Sequence, residues 1–214
     1  MKSSAIVAAI LLAGAAVCRA ADGPATAAHE TILLPPYPGD VPWQEIKRPP
    51  GAPRLWAPAG ENPNDLQNTF VISLYGGDDG KLDIKTYATG LMQSIHARCE
   101  SARVIGPRTG TENGFPVAHA EIYCVNAVDS AHDFDAFIKA VRGDSAIWLF
   151  VRQFSRPGHA TETLSADARK SLDAAQDVAR RYLDAVEVCP ATGGTGDCAP
   201  EKAKPRAAPA KSSK

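Results

Sequence analysis

The pattern of apolar and polar positions predicts one folded unit between residues 66 and 187. Residues 69–75 are rich in β-branched and aromatic side chains and end at a pair of glycines, which is typical of a strand. A second strand is predicted at 102–107. A third is predicted at 117–125, where polar and apolar positions alternate along the chain.

Two apolar runs, at 134–141 and 146–154, flank the polar sequence Arg142-Gly143-Asp144-Ser145. Apolar runs on both sides of a short turn favour a β-hairpin. A helix is the alternative for 134–141, because its large apolar residues also share one helical face.

Two further segments carry apolar residues at the i, i+3, i+4 spacing of an amphipathic helix. The first extends from a cap at Asp83 to about residue 98, and the second from a cap at Ser165 to about residue 186. In chain order the body is β-α-β-β-β-β-α. We therefore predict an α+β fold, an antiparallel sheet of about four to five strands with two helices packed on one face.

Residues 21–65 precede this body and hold nine of the seventeen prolines, all between Pro35 and Pro63. Proline removes a backbone donor, so long regular structure is not expected here. The segment also contains eight large apolar residues: Ile32, Leu33, Leu34, Tyr37, Trp43, Ile46, Leu55 and Trp56. We interpret it as a proline-rich extended arm lying over the core. A proline-rich ligand for a partner domain is the alternative.

Residues 1–20 show the three-part pattern of a cleavable signal peptide. Lys2 precedes an apolar run at 6–17, and Cys18-Arg19-Ala20 provides small residues for cleavage after Ala20. The run is too short to span a bilayer as a helix. An uncleaved anchor and lipoprotein processing at Cys18 are the alternatives. The sequence thus predicts a periplasmic or secreted protein without a transmembrane segment in the mature chain.

Four cysteines remain after cleavage, which predicts two disulfides in an oxidising compartment. Pairing Cys99 with Cys124 and Cys189 with Cys198 is favoured among three connectivities, because each pair is close in sequence. A metal site is the alternative, but the closely spaced cysteine pairs of zinc sites are missing. We predict no metal and no cofactor, and we interpret 188–200 as a disulfide loop.

Charge is unevenly distributed along the chain. Residues 201–214 hold five basic residues and one acidic residue and are predicted to be a disordered tail, whereas residues 21–200 carry a net charge of −7. An acidic body argues against nucleic acid as a partner. The basic tail is suited to contact an anionic surface.

Four residues form weak ligand-site candidates. His119 and Glu121 match the His-x-Glu half of a zinc deaminase signature, but the Pro-Cys-x-x-Cys half is absent. Strand alternation alone also places these two side chains on one face, so a solvated polar face is the simpler interpretation. Trp148 and Arg152 share a face of a predicted strand, where an arginine closing an aromatic row is a possible ligand contact.

No catalytic residue is assigned from these patterns, and a non-enzymatic binding or accessory module of the cell envelope is favoured. An exported hydrolase using His119 and Glu121 is one alternative. A protein-interaction component of a secretion or surface assembly, acting through the arm, is the other. The expected partner is an envelope protein or a small ligand. The layout of helices behind an antiparallel sheet resembles small exported domains such as the PsbP-like group, and this resemblance implies no function or site residue.

Overall fold

The computed structural model describes residues 30–39, 41–63, 65–76, 83–127, 132–144, 146–156, 165–190 and 198. The predicted signal peptide, the basic tail and most of the disulfide loop lie outside these residues. The described strands are β1 (Glu30–Leu33), β2 (Trp43–Glu45), β3 (Arg54–Pro58), β4 (Asn68–Gly76), β5 (Cys99–Glu112), β6 (Phe115–Ala127), β7 (Asp133–Arg142), β8 (Ala146–Arg156) and β9 (Glu187–Pro190). The described helices are α1 (Ile84–His96) and α2 (Ala166–Asp184).

Seven of these strands form one antiparallel sheet in the order β2-β3-β4-β8-β7-β6-β5. β1 and β9 form a separate antiparallel pair. The predicted fold class is therefore wrong in its sheet, which has seven strands rather than four or five. The additional strands β2 and β3 come from the proline-rich arm. Both are short: β2 is the edge strand, and β3 lies between β2 and β4 with a single proline, Pro58, at its end.

The predicted placement of both helices on one face is also wrong. Along β7, Ala136, Ile138 and Ala140 belong to the core that includes the buried residues of α1. Phe137 and Val141 alternate with them and belong to the core that includes the buried residues of α2. Since successive side chains of a strand point to opposite faces, α1 and α2 cover opposite faces of the sheet. Nine of the ten β7 residues are buried, so this strand is covered on both sides.

Both helices begin at the residues that the sequence indicates. The Asp83 carboxylate accepts a hydrogen bond from the Thr86 amide at 2.9 Å, and the Ser165 hydroxyl accepts one from the Ala168 amide at 3.2 Å. These bonds satisfy amides that the first turn of a helix leaves unpaired. Neither of the two described helices combines the length and the apolar character needed to cross a bilayer.

Two disulfides cross-link the fold, one between β5 and β6 and one at β9. Cys99 at the start of β5 is joined to Cys124 of β6, with Cα atoms 5.5 Å apart. Cys189 of β9 is joined to Cys198, with Cα atoms 5.3 Å apart. These are the pairings that the cysteine spacing favours.

Candidate functional site

The face of the sheet beneath α2 carries all four sequence-predicted candidates, but in separate places. His119 and Glu121 lie on β6, opposite Lys139 and Phe137 of β7. Trp148 and Arg152 lie on β8, on the far side of β7. The structure therefore gives two regions to consider. The first lies around β6 and is termed the charge network; its residues are Arg108, Glu112, His119, Glu121, Tyr123, Lys139, Arg180 and Asp184. The second is a group of aromatic rings near β4 and β8.

Glu121 is the centre of the charge network. The Arg180 Nη2 of α2 donates to Glu121 Oε2 at 2.9 Å, and the Tyr123 hydroxyl donates to the same oxygen at 2.5 Å. Arg108 Nη2 lies 3.4 Å from the other oxygen, Oε1. Glu121 is only 6% exposed. Both carboxylate oxygens are thus engaged by donors and covered by protein.

The ionisation of this group follows from its partners. Burial raises the pKa of Glu121, but hydrogen bonds from Arg180 and Tyr123 outweigh burial and hold that pKa below its ordinary range. Burial and the neighbouring carboxylate raise the pKa of Tyr123 to about 12. Glu121 is therefore held as an anion and Tyr123 as a protonated donor. Fixed protonation states of this kind are typical of a structural ion pair, here with Arg180, and not of a group that shuttles protons.

His119 has a different set of partners. Its Nε2 lies 3.2 Å from Glu112 Oε1, and its Nδ1 lies 3.6 Å from Asp184 Oδ1 at the end of α2. The fully buried Lys139 contacts the Glu112 carboxylate and donates to the carbonyl oxygen of Val186 at 2.8 Å. Burial raises the pKa of Glu112, but hydrogen bonds from His119 and Lys139 outweigh it and lower that pKa.

The charge network fastens secondary-structure elements to one another. Arg180 and Asp184 belong to α2, Glu112 ends β5, and Glu121 lies in the middle of β6. The contacts of Arg180 and Asp184 tie α2 to β6, and the Lys139–Glu112 contact ties β7 to β5. The Arg108–Glu121 and His119–Glu112 contacts join the two strands of the β5–β6 hairpin. Buried charges need such partners, because an unpaired buried charge is strongly destabilising.

A metal-binding role for His119 and Glu121 has no geometric support in the described part of the chain. The group of potential metal ligands found there is Glu187, Cys189 and Cys198, at the β9 disulfide. Since Cys189 and Cys198 are bonded to each other, their sulfurs are not the thiolates that bind metals.

Trp148 anchors the first strand of the arm. Its indole Nε1 donates to Glu30 Oε2 at 3.3 Å, and the Asp144 amide donates to Glu30 Oε1 at 2.6 Å. Glu30 is buried and is the first residue of β1. The Trp148 side chain thus binds the chain's own arm.

Arg152 lies beside the other end of the arm. Its Nη1 donates to the carbonyl oxygens of Thr69 and Gln153, at 3.0 and 2.7 Å, and its guanidinium lies 4.6 Å from the ring centre of Trp43. Burial lowers the pKa of Arg152 to about 10. Among the described residues, no carboxylate forms an ion pair with this cation.

Next to Arg152, five rings form what we term the aromatic stack: Tyr37, Trp43, Trp56, Phe70 and Tyr182. The Tyr37 ring is inserted between Trp43, at 5.0 Å and 9°, and Tyr182, at 5.3 Å and 19°. The hydroxyls of both tyrosines are buried and interact with each other, and neither has another hydrogen-bond partner among the described residues. Burial raises the pKa of Tyr37, and it raises that of Tyr182 to about 12.

Several residues of these two regions were missed by the sequence patterns. Lys139 interrupts an apolar run in β7, and a lysine in such a run needs a carboxylate nearby, which is a usable signal. Arg180 carries no signal, because its partner Glu121 is 59 residues away. Tyr37 was assigned to the arm, but nothing in its sequence context shows which rings it contacts.

Comparisons with known proteins add only weak likenesses. No protein-family model and no curated protein matches this chain. LpqN, involved in cell envelope biogenesis of Mycobacterium tuberculosis, is 17% identical, with 78% of this chain and 87% of that protein covered and a TM-score of 0.43. The cyanobacterial PsbP protein CyanoP from Synechocystis sp. PCC 6803 is 13% identical, with 77% and 96% covered and a TM-score of 0.40.

A protein from Bacteroides thetaiotaomicron is 15% identical, with 62% of this chain and 41% of that protein covered and a TM-score of 0.32. At these values none of the likenesses supports an argument about function. The described fold and site define a disulfide-bonded protein with one helix on each face of an antiparallel sheet.

Proposed function

We propose that this protein acts outside the cytoplasm as a binding or accessory protein of the cell envelope, and not as an enzyme. The observation that carries the proposal is the pair of disulfides, Cys99–Cys124 and Cys189–Cys198. Disulfides persist in oxidising compartments and are rare in the cytosol. The signal-peptide pattern at residues 1–20 points to the same compartment.

The geometry of the charge network argues against acid–base catalysis by His119 and Glu121. A general base needs a free lone pair within reach of the proton it abstracts. Glu121 has both oxygens engaged, by Arg180, Tyr123 and Arg108, and His119 is engaged by Glu112 and Asp184. The hydrolase alternative therefore lacks a free acid–base pair at these positions.

An export assay tests the compartment. We expect alkaline phosphatase fused after residue 214 to be active in a bacterial host, because this reporter needs its own disulfides. The same fusion beginning at residue 21 is the control and should be inactive. Mass spectrometry of the exported protein under non-reducing conditions should show both disulfides. An inactive full-length fusion, or free thiols in the folded protein, would overturn the proposal.

A protein-interaction role is the second candidate, and one observation favours it. The described part of the chain has three exposed large hydrophobic residues, Leu33 at 41%, Leu34 at 36% and Val41 at 52%, and all three lie on the arm. Apolar residues concentrated in one exposed segment are typical of an interaction site.

Serine substitution at these three positions tests the interaction role. We expect the variant to fold normally and to lose a cross-linked species seen with the wild-type protein in intact cells. Gln93→Ser, at an exposed position of α1, is the control and should keep that species. Unchanged cross-linking in the triple variant would contradict an interaction through the arm.

A further inference from the structure

Tyr37 lies in a segment that is joined to strands at both ends and belongs to no strand itself. We term residues 34–42 the strap. Before it, β1 pairs with β9 and Glu30 accepts hydrogen bonds from Asp144 and Trp148. After it, β2 pairs with β3. The described residues of the strap lie in no strand, and Pro35, Pro36, Pro38 and Pro42 have no amide hydrogen to donate.

Ring contacts and the neighbouring Tyr182 hydroxyl hold the Tyr37 side chain. The Tyr37 hydroxyl is buried, and apart from Tyr182 it reaches no hydrogen-bond partner among the described residues. A buried hydroxyl whose hydrogen bonding is incomplete costs free energy, which offsets part of what ring burial contributes. A strap of nine residues can extend to roughly 30 Å, so its middle can move outward without separating β1 from β9.

The rings around Tyr37 are positioned by other elements. Trp43 belongs to β2, Trp56 to β3, Phe70 to β4 and Tyr182 to α2. Trp56 and Phe70 pair across the sheet, and Phe70 meets Tyr182 edge-on at 5.2 Å. If Tyr37 moved out, these rings would still be held in place by the sheet and the helix, leaving a slot one ring thick.

We propose that this slot, between Trp43 and Tyr182, is a binding site for a small planar aromatic molecule carrying a hydroxyl or carboxylate group, and that Tyr37 is its displaceable internal occupant. The inference rests on the proposed binding function and specifies its ligand class. The strap opens to admit the ligand and closes with Tyr37 in its absence.

The polar groups around the slot set the chemistry of the ligand. Tyr182 brings a buried hydroxyl that loses its Tyr37 neighbour when Tyr37 moves out. Arg152 lies over Trp43 at 4.6 Å with no ion pair among the described residues, whereas Arg54, over Trp56 at 4.6 Å, is already paired with Glu45. One cation without an ion pair and one hydroxyl without its neighbour favour an acceptor or an anion over a cation. Face-to-face walls favour a flat ring over a saturated one.

Removal of the Tyr37 side chain tests the slot directly. In the full mature chain, Tyr37→Ala leaves space for phenol, which reproduces the missing ring and hydroxyl. Tryptophan fluorescence should report phenol binding at least about tenfold tighter in this variant than in the wild type, because no internal ring competes. Benzene should bind more weakly than phenol, and cyclohexanol more weakly still. Failure of the folded variant to bind phenol would overturn the proposal.

A matched control uses the same residue type on the opposite face. Tyr87 of α1 packs against Tyr75 at 5.8 Å and 53°, in a two-ring contact without a sandwich. Tyr87→Ala should show no phenol binding beyond that of the wild type. Equal binding in the two variants would mean that any lost tyrosine creates a phenol site, and it would overturn the assignment of a specific slot.

A second experiment uses the wild-type protein, so it can be done even if the Tyr37→Ala variant fails to fold. Protein labelled with 3-fluorotyrosine is titrated with 4-hydroxybenzoate, and the Tyr37 resonance is assigned from Tyr37→Phe. We expect this resonance to move toward that of an exposed tyrosine as ligand is added. An unchanged Tyr37 resonance at saturation would contradict displacement. Export and disulfide formation would be unaffected by either result, so failure of the slot leaves the proposed function standing.

Discussion

At the scale of single residues, the buried carboxylates beneath α2 show how partners decide the role of a polar group. Glu121 is held ionised by Arg180 and Tyr123, whereas Asp135 is fully buried beside Arg156 and Gln176. Their pKa values move in opposite directions, because donors dominate at Glu121 and burial dominates at Asp135. The two groups therefore make opposite contributions to the pH dependence of stability.

Glu121→Gln separates a structural role from a catalytic one. We expect this variant to lose about 2 kcal/mol of unfolding free energy, since charge-assisted hydrogen bonds contribute roughly 1.5–3 kcal/mol each. Glu45→Gln is the control, because Glu45 pairs with Arg54 on the surface and such pairs contribute under about 1 kcal/mol. Denaturant unfolding measures both. A Glu121→Gln protein as stable as the wild type, or more stable, would instead be typical of a catalytic residue.

Asp135→Asn tests the sign of the pH effect. The folded state raises the pKa of Asp135, chiefly through burial, so it binds that proton more tightly than the unfolded chain does. The stability gained from the proton is complete below the unfolded pKa of about 3.9 and is lost as the pH rises through the folded value. The free energy of unfolding of Asp135→Asn should therefore improve relative to the wild type as the pH rises from about 4 to 7.

Urea unfolding over this pH range measures the difference between variant and wild type. For Glu121→Gln we expect the opposite trend: its stability relative to the wild type should fall as the pH rises, because a lowered carboxylate pKa stabilises the wild type at higher pH. If Asp135→Asn fell further behind the wild type with rising pH, Arg156 rather than burial would control Asp135.

At the scale of elements, local signals located β4, β6, β7, β8 and both helices, but only residues 102–107 of the longer strand β5. Alternation located β6, the turn after Arg142 separated β7 from β8, and the caps Asp83 and Ser165 began the two helices. Local sequence patterns did not show which helix covers which face of the sheet. The sequence of β7 showed little sign of two covers, because Asp133, Asp135 and Lys139 alternate with Phe137 and Val141 on one face and yet are buried.

The site was less predictable than the fold. Strand alternation placed His119 and Glu121 on one face, but Arg180 and Asp184 reach them from a helix distant in sequence. The strands β2 and β3 escaped prediction because proline-rich sequence opposes regular structure locally, whereas the pairing of β3 with β4, and of β2 with β3, stabilises it. Long-range pairing of this kind leaves no periodic pattern in the sequence.

Each disulfide stabilises a different pair of elements, and their effects should differ. Cys99–Cys124 spans 25 residues and Cys189–Cys198 spans 9. In the chain-entropy model, replacing each pair by alanines costs roughly 3.5 and 2.7 kcal/mol, because the longer loop restricts the unfolded chain more. Guanidinium unfolding of the two double variants measures these costs. A larger cost for the shorter loop would show that contacts of β9 in the folded state, and not loop entropy, dominate.

At the scale of the whole molecule, the arm contributes strands to both sheets. Its first part, β1, pairs with β9 near the end of the described chain, and its later part, β2 and β3, completes the large sheet. The strap joins these two attachments and carries Tyr37 into the aromatic stack. The arm is thus a structural part of the protein as well as the segment with its exposed apolar residues.

Two deletions distinguish these contributions. Removing residues 21–40 takes away β1 and Tyr37 but keeps β2 and β3, so we expect a folded monomer of reduced stability. Removing residues 21–65 also uncovers the edge of β4 and the buried Phe70, and exposed edges of apolar strands promote association. We therefore expect the longer deletion to aggregate or to lose tertiary structure. Size-exclusion chromatography and near-ultraviolet circular dichroism compare the two, and a native-like monomer from the longer deletion would show that the sheet is complete without its arm.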